Sequence, residues 1–261
     1  MKDILQRIAA TKLVEVDATR RVLPLEALRE MASQVAVPTR SLSRQITARE
    51  IGIIAEFKRR SPSRGEISPM ASVADVVADY TANGAAACSI LTDTPYFGGA
   101  LTDLQVARTV TDLPLLRKEF VVDEYQIYQA RLAGADAVLL IASLLDALTI
   151  SCFTDVAHSL GLEVLLELHG EEELAKVNPD ADLIGVNNRN LRDFSVAFSA
   201  SMSLIDRLPA SAVKIAESGI HCREDLISLR NAGFDGFLIG EAFMSTPSPG
   251  DTLAAFIGVK S

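Results

Sequence analysis

Five apolar runs in this chain end in side chains that can move or hold protons. "IGIIAEFKRR" closes on Glu56 and Lys58, "LPLLRKEF" on Arg117, Lys118 and Glu119, and "LEVLLELH" on Glu167 and His169. "LIGVNNR" closes on Asn187, Asn188 and Arg189, and "VKIAES" on Glu217 and Ser218. Lysine and glutamate give and take protons, while asparagine and arginine orient and neutralise anions, so the set suits proton transfer on a bound substrate. A single such ending is the ordinary emergence of a strand into water. Gathered in one concave mouth, these groups would cost on the order of several kcal/mol each in desolvation unless paired, and a cluster there points to a site.

That gathering needs a fold that brings strand ends together. From Ile51 onward, short β-rich apolar runs alternate with amphipathic segments of helical period. The spacing predicts eight strands: Ile51 to Lys58, Ala87 to Asp93, Pro114 to Phe120, Ala137 to Ser143, Glu163 to His169, Leu183 to Arg189, Val213 to Gly219 and Gly236 to Phe243. Helical segments lie between them, among them Ser72 to Ala85, Asp123 to Ala135, Asp146 to Gly161 and Cys222 to Gly233. Eight strand–helix units in about 210 residues match an α/β fold of the (β/α)8 TIM barrel type, whose functional face lies at the C-terminal ends of the strands. A doubly wound open sheet is less favoured, because no GxGxxG follows the first strand and no GxxxxGK[ST] occurs. Side chains alternate along a strand, so Glu56 shares a face with Lys58, Glu167 with His169 and Asn187 with Arg189, whereas Lys118 faces away from Arg117 and Glu119. Residues 1–46 precede the pattern. Ile4, Leu5, Ile8 and Leu13 on one segment, and Leu25, Leu28 and Met31 after Pro24 on another, predict two extra N-terminal helices packed on the barrel within a single domain spanning 1–261.

Bulk properties narrow the classes. The 261 residues are 49% hydrophobic and 23% charged, with a formal net charge of -9, which fits a soluble globular protein and disfavours nucleic acid or an anionic membrane as partner. Cys88, Cys152 and Cys222 show no CxxC pairing, as expected of a reducing cytosol. The N-terminus has no unbroken apolar stretch for a signal peptide, and Ala137 to Ile150, interrupted by Asp146, is too short to span a bilayer.

A phosphate site is suggested by the last two units. "AESGI" and "FLIGEAFM" put small residues, Gly219 and Gly240 among them, where backbone N–H groups can approach an anion, which is the usual phosphate position of this fold. Ser61 and Ser63 beside Pro62 offer hydroxyls from the first loop. His158, His169 and His221 form no HxxxH pair and are read as structural, so no metal is expected, and no GxSxG marks a hydrolase elbow.

"IAEFKRRSPSRG", "SILTDTPYFGGALTDL", "LLRKEFVVDEYQI", "GADAVLLI", "LLELH", "IGVNNRNL", "KIAESGI" and "FLIGEAF" together resemble, in order and over essentially the whole chain, the motifs of the indole-3-glycerol phosphate synthase family. The resemblance implies ring closure of 1-(2-carboxyphenylamino)-1-deoxyribulose 5-phosphate to indole-3-glycerol phosphate, with loss of CO2 and water, in tryptophan biosynthesis. It implies no cofactor, a cytoplasmic setting, a sugar-phosphate substrate, and noncovalent association at most with other enzymes of the route. By match, Lys118 is the general acid and Glu167 the base, with Glu56 and Asn187 positioning groups and Lys58 meeting the substrate carboxylate. Arg189 and Glu217 match substrate-binding residues, and Phe97, Phe120 and Leu139 match the apolar wall for the anthranilate ring. Phosphate binding carries over to Ser61, Ser218, Gly219, Gly240 and Glu241, the last through its backbone. Two lysines balanced by Glu56 and Glu167 are expected to leave a lysine charged yet acidic. Departures are small: Arg60 and Arg64 crowd the first loop, Asn190 stands where relatives are often acidic, and Glu241 where some have serine. The sister phosphoribosylanthranilate isomerase is disfavoured, since no strand ends in cysteine. A silent sugar-phosphate-binding barrel would break the acid–base set, which is complete here.

Overall fold

A computed structural model describes residues 4–189 and 195–258, and Asn190 lies outside them. Eight strands, β1 (Gly52–Phe57), β2 (Ala87–Leu91), β3 (Leu115–Lys118), β4 (Ala137–Ile141), β5 (Glu163–Leu168), β6 (Leu183–Asn187), β7 (Val213–Glu217) and β8 (Gly236–Ile239), pair in parallel and close into a barrel. β8 returns to β1 with Gly52 opposite Gly236. Every strand falls inside its predicted range, but all eight stop short of the predicted C-terminal end, and the functional residues sit on or just past those ends. At β8 the difference is largest. Gly240 leaves the extended conformation and its carbonyl accepts from the N–H groups of Phe243 and Met244, so Glu241–Met244 is a helical turn and not strand.

Period-two alternation sorts the strands into two cores. Ile54, Leu116, Leu139, Leu165, Leu183, Ile215 and Leu238 fill the barrel. Ile53, Phe57, Ile90, Leu140, Leu166 and Phe237 point outward against the surrounding helices. Those helices start where the sequence supplies caps: Ser72 accepts from the N–H of Asp75 before Val73–Ala82, and Asp146 from that of Thr149 before Ala147–Ser159.

The N-terminal segment forms three helices, one more than predicted: α1 (Ile4–Val22), α2 (Leu25–Ser33) and α3 (Leu42–Thr47). A six-residue helix carries only one apolar pair at helical spacing, Leu42 and Ile46, too little periodicity to read from sequence. Both residues are fully buried in the barrel core, and they close its N-terminal end. Gly52 lets the helix approach, since a Cβ there would lie 2.7 Å from the Ile46 carbonyl oxygen. At the start of β5, Glu163 accepts from Ser41 Oγ at 2.6 Å and from the Ser43 N–H at 2.8 Å, which fixes the first turn of α3. In α1 and α2 the predicted faces are partly wrong: Leu13 and Met31 are exposed, while Lys12 and Ala32 turn inward. Lys12 is drawn in by charge, its Nζ lying 2.6 Å from Asp93 and 3.4 Å from Glu119. Truncating the plug by Ile46→Ala should cost about 2–5 kcal/mol, by lost apolar contact and a residual cavity. Urea unfolding measures it, and a loss below about 1 kcal/mol would mean that the barrel end does not depend on α3.

Candidate active site

A cavity of about 1140 Å³, counting the space that opens to solvent, occupies the C-terminal mouth of the barrel. Every residue given a site role from the sequence lines it: Glu56, Lys58, Ser61, Phe97, Lys118, Phe120, Leu139, Glu167, Asn187, Arg189, Glu217, Ser218, Gly219, Gly240 and Glu241. Sequence reading missed Ile4, Leu5 and Ile8, which bring α1 into the apolar wall.

Lys118 is the centre of the charges. Its Nζ lies 2.6 Å from Glu167 Oε2 and 3.1 Å from Glu217 Oε2, at the ends of strands β5 and β7. Asn187 Nδ2 reaches Glu167 Oε1 at 3.3 Å, and Lys58 Nζ pairs with Glu56 Oε1 at 2.9 Å. Alternation keeps Lys118 apart from its neighbours: Arg117 turns out to the Gln126 carbonyl and Glu119 to Thr92. Two glycines make room for these carboxylates. A Cβ at Gly185 would lie 2.1 Å from Glu217 Oε1, and one at Gly240 would lie 2.6 Å from Glu56 Oε1.

The expected balance of two lysines and two glutamates needs correcting, because Glu217 adds a third carboxylate beside Lys118. Burial alone would lower the Lys118 ammonium, but Glu167, Glu217 and Glu56 outweigh it and hold the pKa above the usual lysine range. Burial would likewise raise Glu167, and Lys118 and His169 overcome it and keep that carboxyl well below the usual range. Glu217 goes the other way: burial first, helped by neighbouring Glu167 against the pull of Lys118, pushes it up to about 8. Beside the charged Lys118, the free site therefore holds Glu167 as an ionised carboxylate and Glu217 as a carboxyl that keeps its proton near neutrality.

Directly after Glu217, Ser218 and Gly219 take left-handed conformations with φ of 65° and 76°. Among the described residues Ser218 is the single non-glycine there, a strained position of the kind that clusters at functional sites. Asn188, whose Nδ2 donates to the carbonyls of Glu217 and Ser218, holds the turn. Glu241 is ion-paired with Arg64 at 2.7 Å and Arg189 at 3.4 Å. Partial burial would raise its carboxyl, but Arg64, Lys58 and Arg189 lower it. The aromatic wall is formed by Phe97 and Phe120, with ring centroids 5.8 Å apart. Among the described residues no cluster of three metal-ligating side chains occurs, and no helix is long and apolar enough to cross a membrane.

A carboxyl that keeps its proton to about pH 8 when folded and loses it near 4.5 when unfolded binds the extra proton only in the folded state. Its stabilising contribution is complete below the unfolded value and is lost as pH rises through the folded one. Unfolding free energies from urea titrations should carry a term that falls across the window from pH 4.5 to about 8, and Glu217→Gln should remove it. An identical pH slope in the variant would mean that Glu217 is ionised throughout.

Comparisons with known proteins bear on the family. The sequence model described as indole-3-glycerol phosphate synthase matches residues 5–256. The indole-3-glycerol phosphate synthase of Bacteroides thetaiotaomicron is 50% identical over 257 residues, covering 98% of each chain. That of Laribacter hongkongensis is 44% identical, covering 97% of this chain and 98% of its own. Among solved structures, 3-hexulose-6-phosphate synthase from Salmonella typhimurium has a TM-score of 0.63 at 14% identity, covering 80% of this chain and 98% of its own. A mutant tryptophan synthase alpha-subunit from Pyrococcus furiosus has a TM-score of 0.58 at 12% identity, covering 79% of this chain and 98% of its own. At such identities the structural likeness shows the barrel fold alone, whereas the sequence matches extend over nearly the whole length. The chain belongs to the indole-3-glycerol phosphate synthase family.

Proposed function

We propose that this chain closes the five-membered ring of indole-3-glycerol phosphate from 1-(2-carboxyphenylamino)-1-deoxyribulose 5-phosphate, as a carboxy-lyase of tryptophan biosynthesis. The observation that carries this reading is the charged Lys118 held between Glu167 and Glu217 on the floor of a cavity with an aromatic wall. The substrate's phosphate is placed at Ser61, the Ser218–Gly219 turn and the backbone of Gly240 and Glu241, where Arg64 and Arg189 already offset the Glu241 charge. Its anthranilate ring lies on Phe97, Phe120 and Leu139, with its carboxylate on Lys58.

The aromatic carbon bearing the carboxylate then attacks the ketose carbonyl carbon. Lys118 gives a proton to the carbonyl oxygen as the new bond forms, and loss of CO2 returns the bonding electrons to the ring. The resulting hydroxyl departs as water with a second proton from Lys118, recharged in the interval, while Glu167 takes a proton from the methylene carbon beside nitrogen to complete the indole. Glu56 fixes Lys58, and Asn187 fixes both Glu167 and, through the Arg189 N–H, the loop that carries the arginine. Residues 1–46 act as an extension of the one barrel domain. The three cysteines are unpaired, in keeping with a reducing cytoplasm, and any association with enzymes of the same route is noncovalent.

Turnover is followed by indole fluorescence, for which a chain without tryptophan gives a low background. Native protein should form indoleglycerol phosphate, and Lys118→Ala should lose about 100- to 10,000-fold in kcat with substrate binding retained. Binding without turnover by the native chain would point instead to a silent sugar-phosphate-binding barrel.

A further inference from the structure

The proposed reaction consumes a proton in every cycle. The carboxylate leaves as neutral CO2, the carbonyl oxygen takes up two protons to become water, and one C–H proton is returned. One proton must therefore enter from solvent, while the bound substrate fills the mouth through which solvent would reach Lys118.

The side of the barrel offers a second route. His169, just past β5, lies outside the residues that line the cavity, yet its Nε2 is 3.1 Å from Glu167 Oε1. This is the oxygen of Glu167 that does not face Lys118. His169 Nε2 has no other partner, and its N–H is not aligned as in a full hydrogen bond, a looseness common in catalytic contacts before substrate binds. On the far side of the ring, Nδ1 is 3.2 Å from Ser143 Oγ. The Ser143 hydroxyl donates to Glu173 Oε1, whose other oxygen, Oε2, accepts from the backbone N–H of His169 at 2.6 Å. Ser143 is exposed, whereas Glu167 and Glu173 are buried. Lys176, from the same 3-10 turn as Glu173, is spent on the carbonyls of Ala142 and Leu145. The charged groups facing the imidazole are thus Glu167 on one side and Glu173 on the other, with Lys118 beyond Glu167.

We propose that His169 is a proton relay that connects solvent at Ser143 to the Glu167–Lys118 pair. The Ser143 hydroxyl turns from Glu173 to Nδ1, gives it a proton and takes one from solvent, and the Nε2 proton passes to Glu167 Oε1. Glu167 returns a proton from Oε2 to the Lys118 amine, which has given its own to the substrate. The ring is left with its proton on Nδ1 and recovers the starting tautomer by exchange with water once the mouth reopens. His169 touches no substrate and acts through Glu167.

The test rests on the ring-closure reading and uses the full chain. His169→Gln keeps a donor that can brace Glu167 but cannot pass a proton through. It should preserve KM, slow the first turnover in rapid mixing and the steady state alike by about tenfold or more, and recover several-fold with added imidazole. Ser143→Ala, which leaves the histidine in place, should slow the steady state in the same sense with unchanged KM, and serves if His169→Gln does not fold. Native-like steady-state rates in both variants, or a slowed His169→Gln that ignores imidazole, would overturn the relay and leave a bracing role. Absence of turnover in the native chain would bring down the ring-closure reading itself, and the relay with it.

Discussion

A single ammonium group, Lys118, organises the mouth of this barrel. In an apolar interior an unpaired charge is untenable, so Lys118 must have carboxylates within reach, and Glu167 and Glu217 supply them from the ends of β5 and β7. Two carboxylates around one ammonium leave an excess of negative charge that burial does not tolerate. The excess is relieved by leaving a proton on Glu217. The pair is thereby split by environment, one member kept ionised by lysine and histidine and the other kept neutral by burial, the arrangement in which acid and base assignments separate at neutral pH.

The backbone is shaped around these charges. Gly185 and Gly240 stand where any side chain would collide with Glu217 and Glu56, so the two carboxylates occupy space that neighbouring strands leave vacant. The left-handed Ser218–Gly219 turn follows Glu217 directly, and Asn188 holds it by donating to the carbonyls of both Glu217 and Ser218. The residue that anchors the lysine and the turn offered to phosphate are therefore parts of one rigid corner, and their separation is set by the chain itself.

The eight strands and the residues at their ends were legible because strand alternation is strict: a buried strand that finishes in Glu-x-Lys or Glu-x-His shows both its face and its end. What was not legible has a common cause. α3 is too short to display a period, and the helical turn at Glu241–Met244 depends on a single glycine leaving the extended conformation. Leu13 and Lys12 exchanged their expected places because two buried carboxylates, remote in sequence, attract the lysine. Hydrophobic periodicity cannot anticipate such a trade. The protonation of Glu217 was missed for the same reason, since it depends on distances across three strands.

The same lysine has a consequence for how the chain assembles. Asp93 caps the short helix Thr94–Phe97 through the N–H groups of Tyr96 and Phe97, and Glu119 accepts from the N–H of Phe120, so the two loops bearing the aromatic wall are each built on a carboxylate that Lys12 contacts. The counter-charge belongs to a helix that leaves the ribosome before the loops that need it. Until α1 docks, Asp93 lacks its cation and Glu119 has only Arg117, 3.7 Å away, and the order of synthesis ensures that Lys12 is already waiting. A permuted chain that delivered α1 last would have to form the Asp93 wall around uncompensated charge.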